Sequence, residues 1–208
     1  MTGMSAPEYH FVTRWNVVGT VHEVADVLAD TVELPRWWPA VYLSAEQLEA
    51  GDERGIGRRI RLRTKGFLPY TLGWELRLVE SRHPYGFTSE ARGDLIGRGV
   101  WTLEQAGART LVTFDWRVRA QKPLLKRLSP VFRPLLSANH RWAMARGEES
   151  LVLEVARRRA ATPAERSRIP APPPPVRTTP LLVLGAGAAL GLAAFGVVRL
   201  LSPRRRRR

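Results

Sequence analysis

The chain has 208 residues and no cysteine, which excludes disulfides, zinc–thiolate centres and cysteine nucleophiles; the length suits one domain with a real core plus extra segments. The net charge of +14 is uneven: residues 1–160 carry 24 basic and 18 acidic side chains, residues 161–208 carry 9 and 1. A terminal Arg run beside an apolar segment points to a membrane rather than to nucleic acid.

Residues 1–7 lack the basic and apolar regions of a secretory signal. Residues 9–18 alternate, with Tyr9, Phe11, Thr13, Trp15 and Val17 on one face and His10, Arg14 and Asn16 on the other, the pattern of a half-buried strand. Thr20 and Glu23 form a capping box for a short helix whose apolar side is Val21, Val24, Ala25 and Leu28. Two prolines then bracket Trp37 and Trp38, which predicts a helical turn or tight loop. Six further strands are expected at 41–48, 58–65, 70–79, 85–91, 97–104 and 109–119, separated by turn residues. In the strand at 70–79, Tyr70, Leu72, Trp74, Leu76 and Leu78 face in; in the last, Val112, Phe114, Trp116 and Val118 do. Short connections make the sheet antiparallel, with one wet face and one aromatic face that needs a cover.

The cover is a long helix over 129–159. Ser129 serves as its cap and Pro130 as its first residue, with a kink at Pro134. Val131, Leu135, Ala138, Trp142, Ala145, Val152 and Ala156 form the stripe expected to pack on the sheet. Glu149 shares that stripe, and Gly147 weakens the middle by roughly 1 kcal/mol. The fold class is therefore α+β: a curved antiparallel sheet of about seven strands around a C-terminal helix.

This order of elements resembles the SRPBCC superfamily, which includes START lipid-binding domains and polyketide cyclases. The stretches VHEVADVLADTVELPRWWPAVY at 21–42 and NHRWAMARGEESL at 139–151 carry the resemblance. It implies the helix-grip fold and a pocket for an apolar ligand. It implies no single reaction and no cofactor, and no catalytic residue carries over.

The expected organisation is an N-terminal tail at 1–8, the ligand-binding domain at 9–160, a stiff Pro-rich linker at 161–177, a membrane-spanning helix at 178–201 and a poly-Arg tail at 202–208. Residues 178–198 hold no charge, enough for one span of about 30 Å. Gly187 and Gly191 make a small-xxx-small pair on which two spans can dimerise. The positive-inside rule places the Arg run in the cytoplasm. The lack of a leading signal favours the opposite arrangement, a tail anchor with a cytoplasmic domain, which is the expectation adopted.

Candidate ligand-lining residues are Trp38, Tyr70, Trp74, Trp101, Phe114, Trp116, His140 and Trp142. Core packing is the competing reading for these aromatics, and a structural or solvent-facing ring is the competing reading for His140 as a proton-transfer group. Arg59, Arg61, Arg63 and Lys65 on one strand face either touch anionic lipid headgroups or form an ordinary solvated face. No aromatics interleave there, so nucleic acid is not the expected partner. Four scattered histidines do not suggest a metal site. Glu90 and Asp115 fall on the outward register, as partners for arginines. The leading functional reading is a membrane-anchored domain that binds a lipid, isoprenoid or polyketide-like molecule. The alternatives are a cyclase or dehydratase, for which the inward polar groups are few (Thr13, Tyr70, Ser89, His140), and a scaffold with a filled interior.

Overall fold

The computed structural model describes residues 8–121 and 123–176. Seven strands run β1 (Glu8–Val18), β2 (Tyr42–Glu49), β3 (Arg59–Lys65), β4 (Thr71–Ser81), β5 (Gly86–Gly93), β6 (Leu95–Ala106) and β7 (Arg109–Ala120). They form one antiparallel sheet in the order β1-β7-β6-β5-β4-β3-β2. Between β1 and β2 lie α1 (Val21–Ala29), a 3-10 turn at Thr31–Glu33 and α2 (Leu34–Trp37); α3 (Pro123–Arg159) follows the sheet. The α+β class, the curved sheet and the gripped C-terminal helix agree with the sequence reading.

The alternation in β1 works as its pattern dictates: Tyr9, Trp15 and Val17 are buried and His10, Arg14 and Asn16 exposed. At the start of α1 the Glu23 amide donates to Thr20 Oγ1 at 3.3 Å, and the Thr20 amide donates to Glu23 Oε2 at 2.7 Å. Arg159, at the far end of α3, donates to both Glu23 carboxylate oxygens at 2.6 Å. Those bonds hold the Glu23 carboxyl down at about 2.

The long helix differs from expectation in two ways. It begins at Pro123, where the missing N–H costs nothing, and Ser129 and Pro130 fall inside it. Its buried face is also rotated. Leu135 and Val152, on the expected stripe, are 39% and 38% exposed, whereas Met144, Gly147, Ser150, Leu151, Glu154 and Val155 are buried. One residue of offset turns a helix by about 100°. Hydrophobicity alone hides this face because Gly, Ser and Glu occupy it.

Two of these positions, Gly147 and Glu154, have a structural reason. A Cβ at Gly147 would stand 2.6 Å from Trp38 Cη2 and 2.7 Å from Cε2, so the helix backbone must be bare where that indole lies. Glu154 takes two hydrogen bonds from Arg36 at 2.9 and 2.7 Å and one from Arg158 at 2.9 Å. Burial raises the pKa of this carboxyl, but the hydrogen bonds from Arg36 and Arg158 outweigh it, and the net shift is downward. The pair ties α2, and with it Trp37 and Trp38, to α3.

The expected linker is not extended throughout. Residues Pro163–Arg168 form α4, capped by Thr162, whose hydroxyl accepts from the Glu165 amide at 3.2 Å. Among the described residues no helix is long and apolar enough to cross a membrane. The expected span at 178–201, its Gly187–Gly191 pair and the Arg tail lie outside the described residues.

Candidate functional site

A cavity opens between the inner face of the sheet and the helices, in two lobes. The outer lobe, about 460 Å³, lies between α1–α2 and the turns at the β2–β3 and β4–β5 connections. The inner lobe, about 200 Å³, lies under α3. Trp38, Tyr42, Leu76, Ser89 and Trp101 line both and form the waist. The outer lobe is on the scale of small-molecule sites, ~300–1,000 Å³, and the inner lobe is smaller.

The wall is an aromatic ladder. Trp101 stacks on Phe114 at 4.0 Å between ring centroids, Phe114 on Trp116 at 5.6 Å, and Trp116 meets Trp74 at 6.1 Å. Gly99 makes this possible, because a Cβ there would stand 2.8 Å from the Phe114 ring and 2.9 Å from that of Trp116. The rings of β7 therefore lie flat across β6. At Gly97 the neighbour is instead the β7 backbone, with Val118 Cα 2.8 Å from where a Cβ would stand. Behind the waist, Trp15 meets Trp38 edge to face at 5.7 Å, and Trp38 meets Tyr42 likewise at 5.1 Å, the geometry that ring quadrupoles prefer.

Apart from Lys65 at its border, the polar groups of the inner lobe are sparse and uncharged. Trp74 Nε1 donates to Thr64 Oγ1 at 3.0 Å. The Asn139 side chain accepts from the Leu68 amide at 3.2 Å and pins the turn after β3 beside the lobe. His140 stacks on Phe11 at 4.0 Å, and its Nε2 is covered and has no hydrogen-bond partner. Burial, with a smaller contribution from the Arg141 charge, pulls its pKa down to about 4. Burial, with Tyr9 adding to it, pushes Tyr70 up to about 12, and burial alone pushes Tyr42 up. At neutral pH all three rings are uncharged.

Of the residues expected to line a site, Trp38, Tyr70, Trp74, Trp101, Phe114, Trp116 and His140 do border the cavity. Trp142 does not. The rotation of α3 leaves it at the edge of the core outside the cavity lining, where it meets Phe67 edge to face at 6.0 Å. The aromatics border the space rather than fill it, contrary to the interior a scaffold would have. Thr13 is not part of the lining, whereas Ser89 sits at the waist.

Sequence reasoning missed Phe11 and Tyr42 as wall residues. It also missed the whole outer lobe, including Leu34, Trp37, Arg54 and Arg58. The Trp37–Trp38 pair was a signal for that lobe, but the turn at 51–58 read only as punctuation.

The basic row on β3 is largely neutralised. Arg59 pairs with Glu49 at 2.5 Å and Glu75 at 3.0 Å, and Arg61 with Glu46 at 2.9 Å and Glu75 at 3.7 Å. Lys65 borders the inner lobe, and Arg63 alone of the four is exposed with no ion pair among the described residues. On the same outer surface Asp115 pairs with His10 at 3.1 Å and Arg117 at 3.5 Å, and Glu90 with Arg92 at 3.9 Å. Neither carboxylate faces the cavity. Among the described residues no group of three or more His, Asp or Glu side chains is placed to hold a metal ion.

A family model described as polyketide cyclase / dehydrase and lipid transport matches residues 10–152. The Zhui aromatase/cyclase from Streptomyces sp. R1128 is similar in structure over 74% of this chain and 98% of its own, at 20% identity and a TM-score of 0.59. The TTHA0849 protein from Thermus thermophilus is similar over 74% of this chain and 100% of its own, at 16% identity and a TM-score of 0.57. The di-domain ARO/CYC BexL from the BE-7585A biosynthetic pathway is similar over 69% of this chain and 50% of its own, at 14% identity and a TM-score of 0.52. At these identities the likeness speaks for the fold. No curated protein matches the sequence.

Proposed function

The chain belongs to the polyketide cyclase/dehydrase and lipid-transport family, within the SRPBCC superfamily, and on that premise we propose that it binds a hydrophobic small molecule, a lipid, isoprenoid or polyketide-like compound, between sheet and α3. The observation that carries this reading is the open cavity with an aromatic wall. Closely packed interiors leave few voids larger than a water, so an apolar space of this size needs an occupant. Flat rings stacked along β6 and β7 suit a planar or extended apolar body. The largely apolar inner lobe suits a ligand with few polar groups.

Ser89 supplies the test, because it is buried at the waist and lines both lobes. Nile red, an uncharged apolar dye, is expected to bind the full chain saturably and quench tryptophan emission. Ser89→Phe, which places a ring in the waist, is expected to weaken that binding tenfold or more. Unchanged affinity in the variant would mean that the dye sits elsewhere, and the cavity reading would fall.

One observation favours a second reading, cyclase or dehydratase chemistry. Tyr70 and His140 both border the inner lobe, one held protonated and the other held neutral. A hydroxyl donor and a neutral imidazole are the groups that move protons in such reactions, while the wall folds the substrate. The covered Nε2 and the shortage of other polar groups leave this reading second.

The uncharged run at 178–198 supports a membrane-held domain, for which we propose the cytoplasmic side. An anchor would concentrate the domain where apolar ligands reside. The full chain is expected to stay with the membrane pellet through an alkaline carbonate wash; release into the supernatant would remove the anchor from the proposal.

A further inference from the structure

The outer lobe is amphipathic. One side is apolar, with Leu28, Leu34, Trp37 and Phe87; the other is the cationic rim of Arg54, Arg58 and Arg82. Not all of that charge is compensated. Arg82 pairs with Glu80 at 3.0 Å, and the neighbouring His83 with Asp26 at 2.8 Å. The Arg54 guanidinium donates only to the Ser81 carbonyl at 2.7 Å, while its backbone amide donates to Asp52 Oδ1 at 2.9 Å. Arg58, half-buried, donates to the Ala50 and Ala29 carbonyls, both at 3.3 Å. Among the described residues no carboxylate pairs with either guanidinium. The one acidic residue on this rim, Glu53, is exposed and forms no ion pair with them.

Carbonyl contacts orient a guanidinium without neutralising it. Each group carries five N–H donors, and most of those on Arg54 and Arg58 stay unused. Two oriented, uncompensated cations beside an apolar cavity are a receptor for an anion on an apolar body, since guanidinium forks match carboxylate and phosphate oxygens.

Resting on the cavity reading above, we infer that the ligand is an amphiphile with an anionic head, carboxylate or phosphate, held by Arg54 and Arg58 at the mouth while its apolar body extends through the waist. The head stays near solvent, and charge at the mouth steers it there. Orientation of the ligand is thereby set: anion outward, apolar end toward the inner lobe.

The test uses the full chain at low salt and pH 7.5, with cis-parinaric acid and its methyl ester as probes of equal apolar body, read by energy transfer from tryptophan. The acid is expected to bind about tenfold tighter than the ester. Arg54→Gln and Arg58→Gln are each expected to weaken acid binding severalfold, and together to abolish the preference, with ester binding unchanged. The ester thus reports that the cavity is still folded. Displacement of parinarate by dodecanoate ahead of dodecyl phosphate assigns the head as a carboxylate, and the reverse order assigns a phosphate. Equal binding of acid and ester, a preference that survives the double substitution, or equal displacement by dodecanol overturns the inference and leaves the cavity reading standing. Failure of both acid and ester to bind overturns both.

Discussion

Glu154→Ala is expected to destabilise the domain by about 3 kcal/mol. The carboxylate is buried, with its side chain 2% exposed, and it is the common partner of Arg36 and Arg158, with Arg157 at 3.9 Å. Removing it takes away their shared buried partner and leaves a gap, with Arg36 keeping only Glu33 and Arg158 only Asp30, at 3.1 Å, as ion-pair partners among the described residues. Breaking a buried pair costs ~3–5 kcal/mol. The lower end applies because the Arg36 and Arg158 side chains are 50% and 35% exposed and regain water. In a thermal melt this is a fall of roughly 6–12 °C for a domain of this size. Glu154→Gln keeps the volume and part of the hydrogen bonding, so its melt should lie between the two.

The consequence reaches the ligand site. Arg36 sits between Pro35 and Trp37, so the Glu154 pair holds the segment that brings Trp37 and Trp38 to the cavity. Glu154→Ala should therefore weaken apolar-ligand binding as well. The carboxyl's folded pKa lies below its unfolded value. The stability it adds is present above the unfolded pKa and disappears as pH falls through the lowered folded value. A loss below 1 kcal/mol in the alanine variant would show that the latch is ornamental.

The second large effect is a pH dependence centred on His140. Its pKa lies at about 4 in the fold against 6.5 for a free imidazole, so between those values the unfolded chain binds a proton that the folded chain refuses. Stability therefore falls as pH drops from 6.5 toward 4, by up to roughly 3 kcal/mol for this group. Phe11, stacked on the ring, supplies no charge or acceptor to hold the imidazolium, and Arg141 repels it. His140→Phe keeps an aromatic ring against Phe11 and removes the titration. Urea unfolding at pH 7, 5.5 and 4.5 should show wild type losing stability faster than this variant. The difference between the two isolates His140 from carboxylates, which titrate lower. Parallel curves, or an imidazole resonance titrating near 6.5, would refute the assignment. For function, the same burial means His140 acts at neutral pH as an uncharged ring, a hydrogen-bonding group and a weak base.

The strands were legible because period-2 alternation is a local property. Tyr9, Trp15, Trp74, Val112 and Trp116 face inward as their spacing requires, and the Thr20–Glu23 box needs only residues three apart. The compensation of Arg59 and Arg61 was not legible. It depends on register: Arg61 stands opposite Glu46 on β2 and Glu75 on β4, and Arg59 opposite Glu49. One residue of slip would have put other side chains there. The outer lobe was hidden for a similar reason, since Arg54 and Arg58 reach it from a turn whose path no periodicity describes.

By itself the sequence determined the class of the fold, the inward face of most strands and the start of α1, because each follows from spacing along the chain. Which face of α3 meets the sheet was decided only in three dimensions. Leu135, Trp142 and Val152 make the more hydrophobic stripe, but the neighbouring face carries Gly147, whose bare backbone fits beneath Trp38, and Glu154, which bridges Arg36 and Arg158. That choice turns Trp142 away and brings Asn139, His140 and Met144 to the cavity. Hydrophobicity ranks faces by transfer from water; steric fit and paired charge, made by residues distant in sequence, select among them.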